Sequence, residues 1–258
     1  MEKMNQRIIE ELNEKRKSGR KSFAVLIDPD KIADPQQCIR LANLCVENKV
    51  DYFFVGGSLI TNDNLNSIIQ ILKSYSDIPV ILFPGNTMQI DISADAILFL
   101  SLISGRNPEL LIGQHVLAAP FLKKSNLEIL STGYMLIDSG KSTTVSYMSN
   151  STPIPSDKPT VAACTAMAGE MLGMKLIYMD AGSGAQNPVP VKMISVVRKS
   201  INAPLIIGGG IRSAEHAKNA LNAGADMLVV GNGIEKNLNL LIEVSDTIHE
   251  YNDTLNIH

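Results

Sequence analysis

Apolar runs of strand length recur along this chain, and the segments between them carry apolar residues at helical spacing. The runs fall at 23–28, 52–57, 80–83, 96–101, 128–137, 176–182, 205–210 and 227–231, which makes eight candidate strands. Most are continuously apolar rather than alternating, the pattern of parallel strands buried on both faces. Helices are expected at 35–49, 62–74, 108–118, 160–172, 190–199, 213–223 and 235–251, with Asp34-Pro35 and Ser213 where N-terminal caps belong. Eight strands joined by helical crossovers predict an α/β fold closed as a (β/α)8 TIM barrel rather than an open sheet.

Two segments break the pattern. Between the third strand, ending at Phe83-Pro84-Gly85, and the fourth, starting at Ala96, about eleven residues remain. That is barely enough for one helix and two loops, so the third helix is expected to be shortened or missing. The gap would leave an apolar slot beside the barrel in which a long hydrophobic substrate fits. Residues 138–158, rich in Ser, Thr and Pro, read as a long loop after strand five on the catalytic face, either a lid or a surface excursion. Residues 1–20 read as a helical N-terminal extension, amphipathic and without the apolar stretch of a secretory signal.

Composition narrows the picture. The chain's 258 residues match the roughly 250 of one such barrel, so 1–258 reads as a single domain. A 45% hydrophobic content supplies a large core, and a net charge of -3 without any basic, aromatic-interleaved stripe leaves no footprint for nucleic acid. Cys38, Cys45 and Cys164 show no CxxC spacing, which suits buried apolar roles in a reducing cytoplasm. His115, His216, His249 and His258 lack HxH or HExxH spacing and read as surface or satisfied histidines. No GxSxG elbow or Cys–His signature points to hydrolysis.

The candidate chemistry lies at the strand ends. Tyr178-Met-Asp-Ala-Gly-Ser-Gly184, Gly208-Gly-Gly-Ile-Arg212 and Gly231-Asn-Gly233 each close an apolar run and precede a helix-like segment. Backbone N–H groups at three neighbouring strand tips can converge on one phosphate, as loops after strands seven and eight do in many barrels. Period two along the strand puts Tyr178 and Asp180 on one face, where a phenol and a carboxylate can orient and deprotonate an alcohol. The alternative is a Tyr hydrogen-bonded to a core carboxylate. Asp28, at the tip of strand one, is a candidate metal ligand or a turn cap, and Asp30 reads as a cap. Ser58, after Gly56-Gly57, can complete a Mg²⁺ shell beside Asp28 or merely end a tight turn.

Taken together these segments resemble the geranylgeranylglyceryl phosphate synthases, also called phosphoglycerol geranylgeranyltransferases. The similarity runs through Leu26-Ile-Asp-Pro-Asp-Lys31, Val55-Gly-Gly-Ser58, Phe83-Pro-Gly-Asn86, residues 99–108, Thr132-Gly-Tyr-Met-Leu-Ile137, Tyr178 to Gly184, Gly208 to Ile211 and Val230-Gly-Asn232. The Ile-Asp-Pro-Asp form is similar to the branch with archaeal and some bacterial members. The resemblance implies a barrel that joins the allylic C1 of a prenyl diphosphate to the C3 hydroxyl of sn-glycerol 1-phosphate, with Mg²⁺ and loss of diphosphate, in ether lipid synthesis. It implies metal ligands at Asp28 and Ser58 and catalytic roles for Tyr178 and Asp180. Glycerol phosphate would be bound by Tyr178, Met179, Asp180, Ala181, Gly182, Ser183, Gly184, Gly209, Gly210, Gly231 and Asn232. It also implies a C20 donor and, together with the apolar outer helices, a homo-oligomer; the chain has no run of about 18 apolar residues, and transient contact with a membrane surface to collect a lipid is compatible with that. Two positions depart from the family pattern: Asp180 stands where members usually carry Glu, and Leu26 where some bacterial relatives carry Lys. A sugar-phosphate isomerase or lyase, and a non-catalytic prenyl-phosphate-binding barrel, are the competing readings.

Overall fold

Eight parallel strands pair in sequence order and close on themselves, β8 pairing with β1 from Ser22↔Met227 to Val25↔Val230. The structure is a computed structural model describing residues 7–255; residues 1–6 of the expected extension, and His258, lie outside the described residues. In chain order the elements are α1 (Arg7–Lys17), β1 (Ser22–Ile27), α2 (Pro35–Glu47), β2 (Tyr52–Gly57), α3 (Leu65–Tyr75), β3 (Val80–Pro84), β4 (Ala96–Leu102), α4 (Gln114–Leu122) and β5 (Glu128–Leu136). They continue with α5 (Thr144–Met148), α6 (Pro159–Met171), β6 (Leu176–Asp180), α7 (Val191–Ser200), β7 (Leu205–Gly208), α8 (Ala214–Ala223), β8 (Met227–Val230), α9 (Asn232–Lys236) and α10 (Asn239–Thr254). The caps fall where expected: Asp34 accepts from the Gln37 N–H at 2.8 Å and Ser213 from the His216 N–H at 3.2 Å.

The third crossover holds no α-helix, only a 3₁₀ turn at Thr87–Gln89. Its loss shows in the sheet as well. β3 and β4 pair over two residues, Ile81↔Ala96 and Leu82↔Ile97, whereas β4 and β5 pair over seven, Ala96↔Glu128 to Leu102↔Tyr134. The barrel therefore has one seam that opens towards the catalytic end.

Three expectations need correction. Residues 138–158 are not all loop: Thr143 caps α5 in a reciprocal capping box with Ser146, and Ile154 bridges to Ile137 beside the sheet. The Ser/Thr-rich composition that suggested a loop supplies the helix cap instead. The helix expected at 235–251 is two, because Asn237 is extended (φ -151°, ψ 101°) between α9 and α10. Cys164 is exposed on the outer face of α6, whose inner face is Ala162, Ala163 and Ala166. Cys38 and Cys45 are buried as expected, and burial pushes the Cys38 thiol up to about 11 and Cys45 higher still.

Side chains alternate between two core layers, as period two requires. Tyr52, Phe54, Ile81, Leu98, Tyr134 and Tyr178 fill the barrel interior, while Phe53, Val55, Leu82, Ile97, Met135 and Met179 pack outwards in the layer under the helices. α1 closes the N-terminal end of the barrel. Its Ile8, Ile9 and Leu12 join the interior cluster, each burial stabilising by roughly 2 kcal/mol. The N–H groups of Ile8 and Ile9 donate to the two oxygens of buried Glu128 at 2.8 Å each. Acids recur at this end: Asp51, Asp95 and Asp226 precede strands and accept from Phe23, Val80 and Leu205 N–H on the neighbouring strands. Lys15, Lys73 and Arg198 pair with them in turn. The N-terminal end is thus charge-clamped, and the C-terminal end is left for chemistry.

Candidate active site

The glycine runs lie just beyond the strands, since β6 stops at Asp180, β7 at Gly208 and β8 at Val230. Their loops meet. Gly182, Ser183, Gly184, Gly209, Gly210, Gly231 and Asn232 all line one cavity of about 820 Å³ at the C-terminal end of the barrel. Asn232 Nδ2 donates to Ser183 Oγ at 2.9 Å, tying the β6 and β8 loops together, and Arg212 donates to the Ala185 carbonyl from the β7 side. Gly209 has φ +77°, and a Cβ there would come within 2.6 Å of Asp180 Oδ1 and 2.7 Å of the Gly182 nitrogen. Only glycine permits that approach, which brings the loop backbone close enough to present N–H groups to an anion.

Asp180 ends β6 pointing into the barrel, 7% exposed. Its Oδ2 accepts from the Tyr134 hydroxyl at 2.6 Å and its Oδ1 from the Gly182 N–H at 2.7 Å. Burial raises its carboxyl above the usual range, and these two donors pull in the opposite direction. Tyr178 shares the face as period two predicts, but the carboxylate's hydroxyl partner is Tyr134, which stands in register with Tyr178 on β5. Tyr178 instead stacks on Phe83 with ring centroids 5.4 Å apart and meets Tyr134 edge-on at 5.4 Å. A Cβ on Gly208 would collide with the Tyr178 hydroxyl, so β7 gives way to this ring. Burial pushes both phenols well above their ordinary value, which keeps them protonated donors. Met179 and Ala181 point the other way, into the layer under the helices, and do not line the cavity.

Across the mouth, Asp28 follows β1. Its Oδ1 accepts from the Asp30 N–H at 3.1 Å and its Oδ2 stands 3.5 Å from Lys31 Nζ. Gly57 lies against it: a Cβ there would sit 3.7 Å from the carboxylate carbon. Ser58 follows, lining the same cavity. No group of three His, Cys, Asp or Glu side chains gathers among the described residues. One carboxylate and one hydroxyl at adjacent strand tips suit a hard divalent cation that draws its remaining oxygens from phosphates and water. Asp30 is a turn clasp, accepting from Thr61 N–H and Oγ1 at 2.8 Å and from Asn62 N–H at 3.0 Å.

From this polar mouth the cavity passes through the open β3–β4 seam. Leu98 and Leu100 line it from the barrel interior and Ile97 and Phe99 from the outer face, beside Ile90, Leu110 and Ala118. Two strand faces border a single void because no third helix covers the outer one. His115 also lines it, buried, edge-on to Phe99 at 4.5 Å, with neither ring nitrogen hydrogen-bonded among the described residues. It is neither a surface nor a satisfied histidine, and burial lowers its pKa so that the neutral ring faces the slot. Tyr134 and His115 are among the lining residues to which the sequence alone assigns no site role. Tyr134 falls in the Thr132–Ile137 segment noted above and His115 follows Gln114, so neither position signals its contacts locally.

The relatives of this chain bear on the same site. The chain is 57% identical over 246 residues to the geranylgeranylglyceryl phosphate synthase of Chitinophaga pinensis, covering 95% of this chain and 97% of that protein. It is 58% identical over 238 residues to the protein of that name from Spirosoma linguale, covering 92% and 95%. A crystal structure of (S)-3-O-geranylgeranylglyceryl phosphate synthase from Thermoplasma acidophilum, in complex with its substrate sn-glycerol-1-phosphate, superposes with a TM-score of 0.88 at 33% identity over 94% of this chain and 98% of that one. The PcrB family model matches residues 14–250, nearly the whole barrel, and this chain belongs to the PcrB family.

Proposed function

We propose that this chain is a prenyltransferase that joins geranylgeranyl diphosphate to the C3 hydroxyl of sn-glycerol 1-phosphate, yielding geranylgeranylglyceryl phosphate and diphosphate. The observation that carries this reading is the single cavity running from a pocket lined by the glycine loops after β6, β7 and β8, past a buried carboxylate, into an apolar slot. A sugar phosphate would leave that slot unused. The glycine loops after β6, β7 and β8 hold the acceptor's phosphate and so fix its hydroxyl near Asp180. The C1–O bond of the donor breaks with its electron pair leaving on diphosphate, the C3 oxygen forms the new C–O bond, and the hydroxyl proton passes to Asp180. Tyr134 holds the accepting carboxylate in place, and Tyr178 with Phe83 forms the aromatic wall beside it.

Asp28 and Ser58 are the residues that would hold Mg²⁺, which supplies charge neutralisation for the leaving diphosphate when bound. The prenyl tail lies in the slot past Leu100 and Phe99. Exposed Met88, Ile92, Val116 and Phe121 surround the third crossover and α4 beside that slot, and support transient contact with a membrane surface where a lipid donor is collected. Exposed Val161, Met171 and Leu172 on and after α6 support a homo-oligomer. Among the described residues no helix is long and apolar enough to cross a membrane. The free cysteines support a cytoplasmic setting, and the continuous barrel over the described residues supports the reading of the chain as a single domain.

The test is direct: purified protein, Mg²⁺, labelled geranylgeranyl diphosphate and sn-glycerol 1-phosphate, with the lipid-extractable ether product measured. Transfer to the sn-1 and not the sn-3 phosphate is expected, with Asp28→Asn losing most of it. Turnover of sugar phosphates without transfer, or binding without turnover, would overturn the reading.

A further inference from the structure

Lys31 closes the turn after β1, and its ammonium stands between two carboxylates of different elements: 3.5 Å from Asp28 Oδ2 and 3.8 Å from Glu235 Oε2. Asp28 belongs to the metal side of the mouth. Glu235 belongs to α9, which opens at Asn232 in the phosphate loop of β8. The side chains of the two acids are 22% and 26% exposed, whereas that of Lys31 is 47% exposed and lines the cavity. A lysine serving only as counter-ion to Asp28 three residues earlier would need no second acid. Held from both sides, its ammonium spans the β8–β1 edge of the mouth with donors left over, since an ammonium has three.

Charge points the same way. A diphosphate brought to Asp28 meets the carboxylates of Asp28 and Asp30, which line the cavity, with Glu235 paired to Lys31 at its edge, and needs a cation that a single metal ion does not fully supply. Among the other cations lining the cavity, Arg212 is engaged with the Ala185 carbonyl, and Lys236 follows Glu235 on α9. We infer that Lys31 binds the diphosphate of the prenyl donor and that Glu235 is the positioning residue that keeps its ammonium at the mouth. This rests on the prenyltransferase reading. Lys31 touches substrate; Glu235 acts through Lys31.

Calorimetric titration of the full chain with inorganic diphosphate in the presence of Mg²⁺, which requires no turnover, tests it. Wild-type protein binds; Lys31→Met is expected to weaken binding about tenfold or more, the scale of a charge-assisted contact. Lys31→Arg should restore most of the affinity. Glu235→Gln should weaken it several-fold and Glu235→Asp less. In steady-state assays the same variants should raise the KM for the prenyl diphosphate and leave the KM for sn-glycerol 1-phosphate and the thermal midpoint unchanged. A merely structural role would move the midpoint and both KM values together. Diphosphate binding by Lys31→Met equal to wild type overturns the inference, as does a loss confined to glycerol phosphate, or a loss produced by Lys236→Met instead. Wild-type protein that binds no diphosphate at all removes the donor half of the site, and with it both readings.

Discussion

Asp180 is a short acid carrying two donors, one from its own loop and one from a neighbouring strand. Its carboxyl titrates above the usual range because it is buried. A base must be unprotonated, so kcat is expected to be lost as pH falls through that raised value, earlier than for an exposed aspartate. Tyr134→Phe removes a donor to the charged form and should move this acid limb to still higher pH while lowering kcat. Asp180→Asn should abolish the limb and cost about 10²- to 10⁴-fold in kcat. A kcat–pH profile at saturating substrates reads both, and an unchanged limb in Asp180→Asn would sink the assignment. Period two along the strand suffices to put Asp180 on the inner face beside Tyr178. It does not show that the hydroxyl partner is Tyr134, because that contact, between residues 46 apart in sequence, depends on the β5–β6 register.

At the level of elements, the barrel is organised by what closes each end. α1 seats three apolar residues in the interior and offers its first N–H groups to Glu128, an acid at a helix N-terminus where the dipole favours it. Glu128→Ala leaves those donors without their acceptor and is expected to destabilise the fold by about 1–3 kcal/mol, read as a lowered thermal midpoint with α1 amides losing hydrogen-exchange protection first. Retained α1 protection would mean that burial of Ile8, Ile9 and Leu12 alone holds the helix. Strands and most helices were legible because apolar runs and caps are local signals. The split between α9 and α10 and the short α5 were not, since Asn237 leaves the helical region within a continuous helix-like pattern and α5 spans only five residues.

For the whole molecule, the decisive feature is the missing third helix. With it absent, β3 and β4 pair over two residues, and the cavity crosses from the barrel interior to its outer face. Slot depth should then set donor length. Ala118 lines the slot from α4, and Ala118→Phe is expected to lower kcat/KM for C20 donors by about tenfold or more relative to C10 donors, leaving the KM for glycerol phosphate unaltered. Equal losses with both donors would place the tail elsewhere. The eight strands, the short third crossover and the glycine-bearing tips are legible in the chain alone, because each is written in contiguous residues through period, length and backbone permissiveness. Tertiary structure alone decided that Tyr134 serves Asp180, that Lys31 lies between Asp28 and Glu235, and that Phe99 and Leu100, on opposite strand faces, border one void. Those are contacts between distant segments, fixed by barrel closure and strand register rather than by any local pattern.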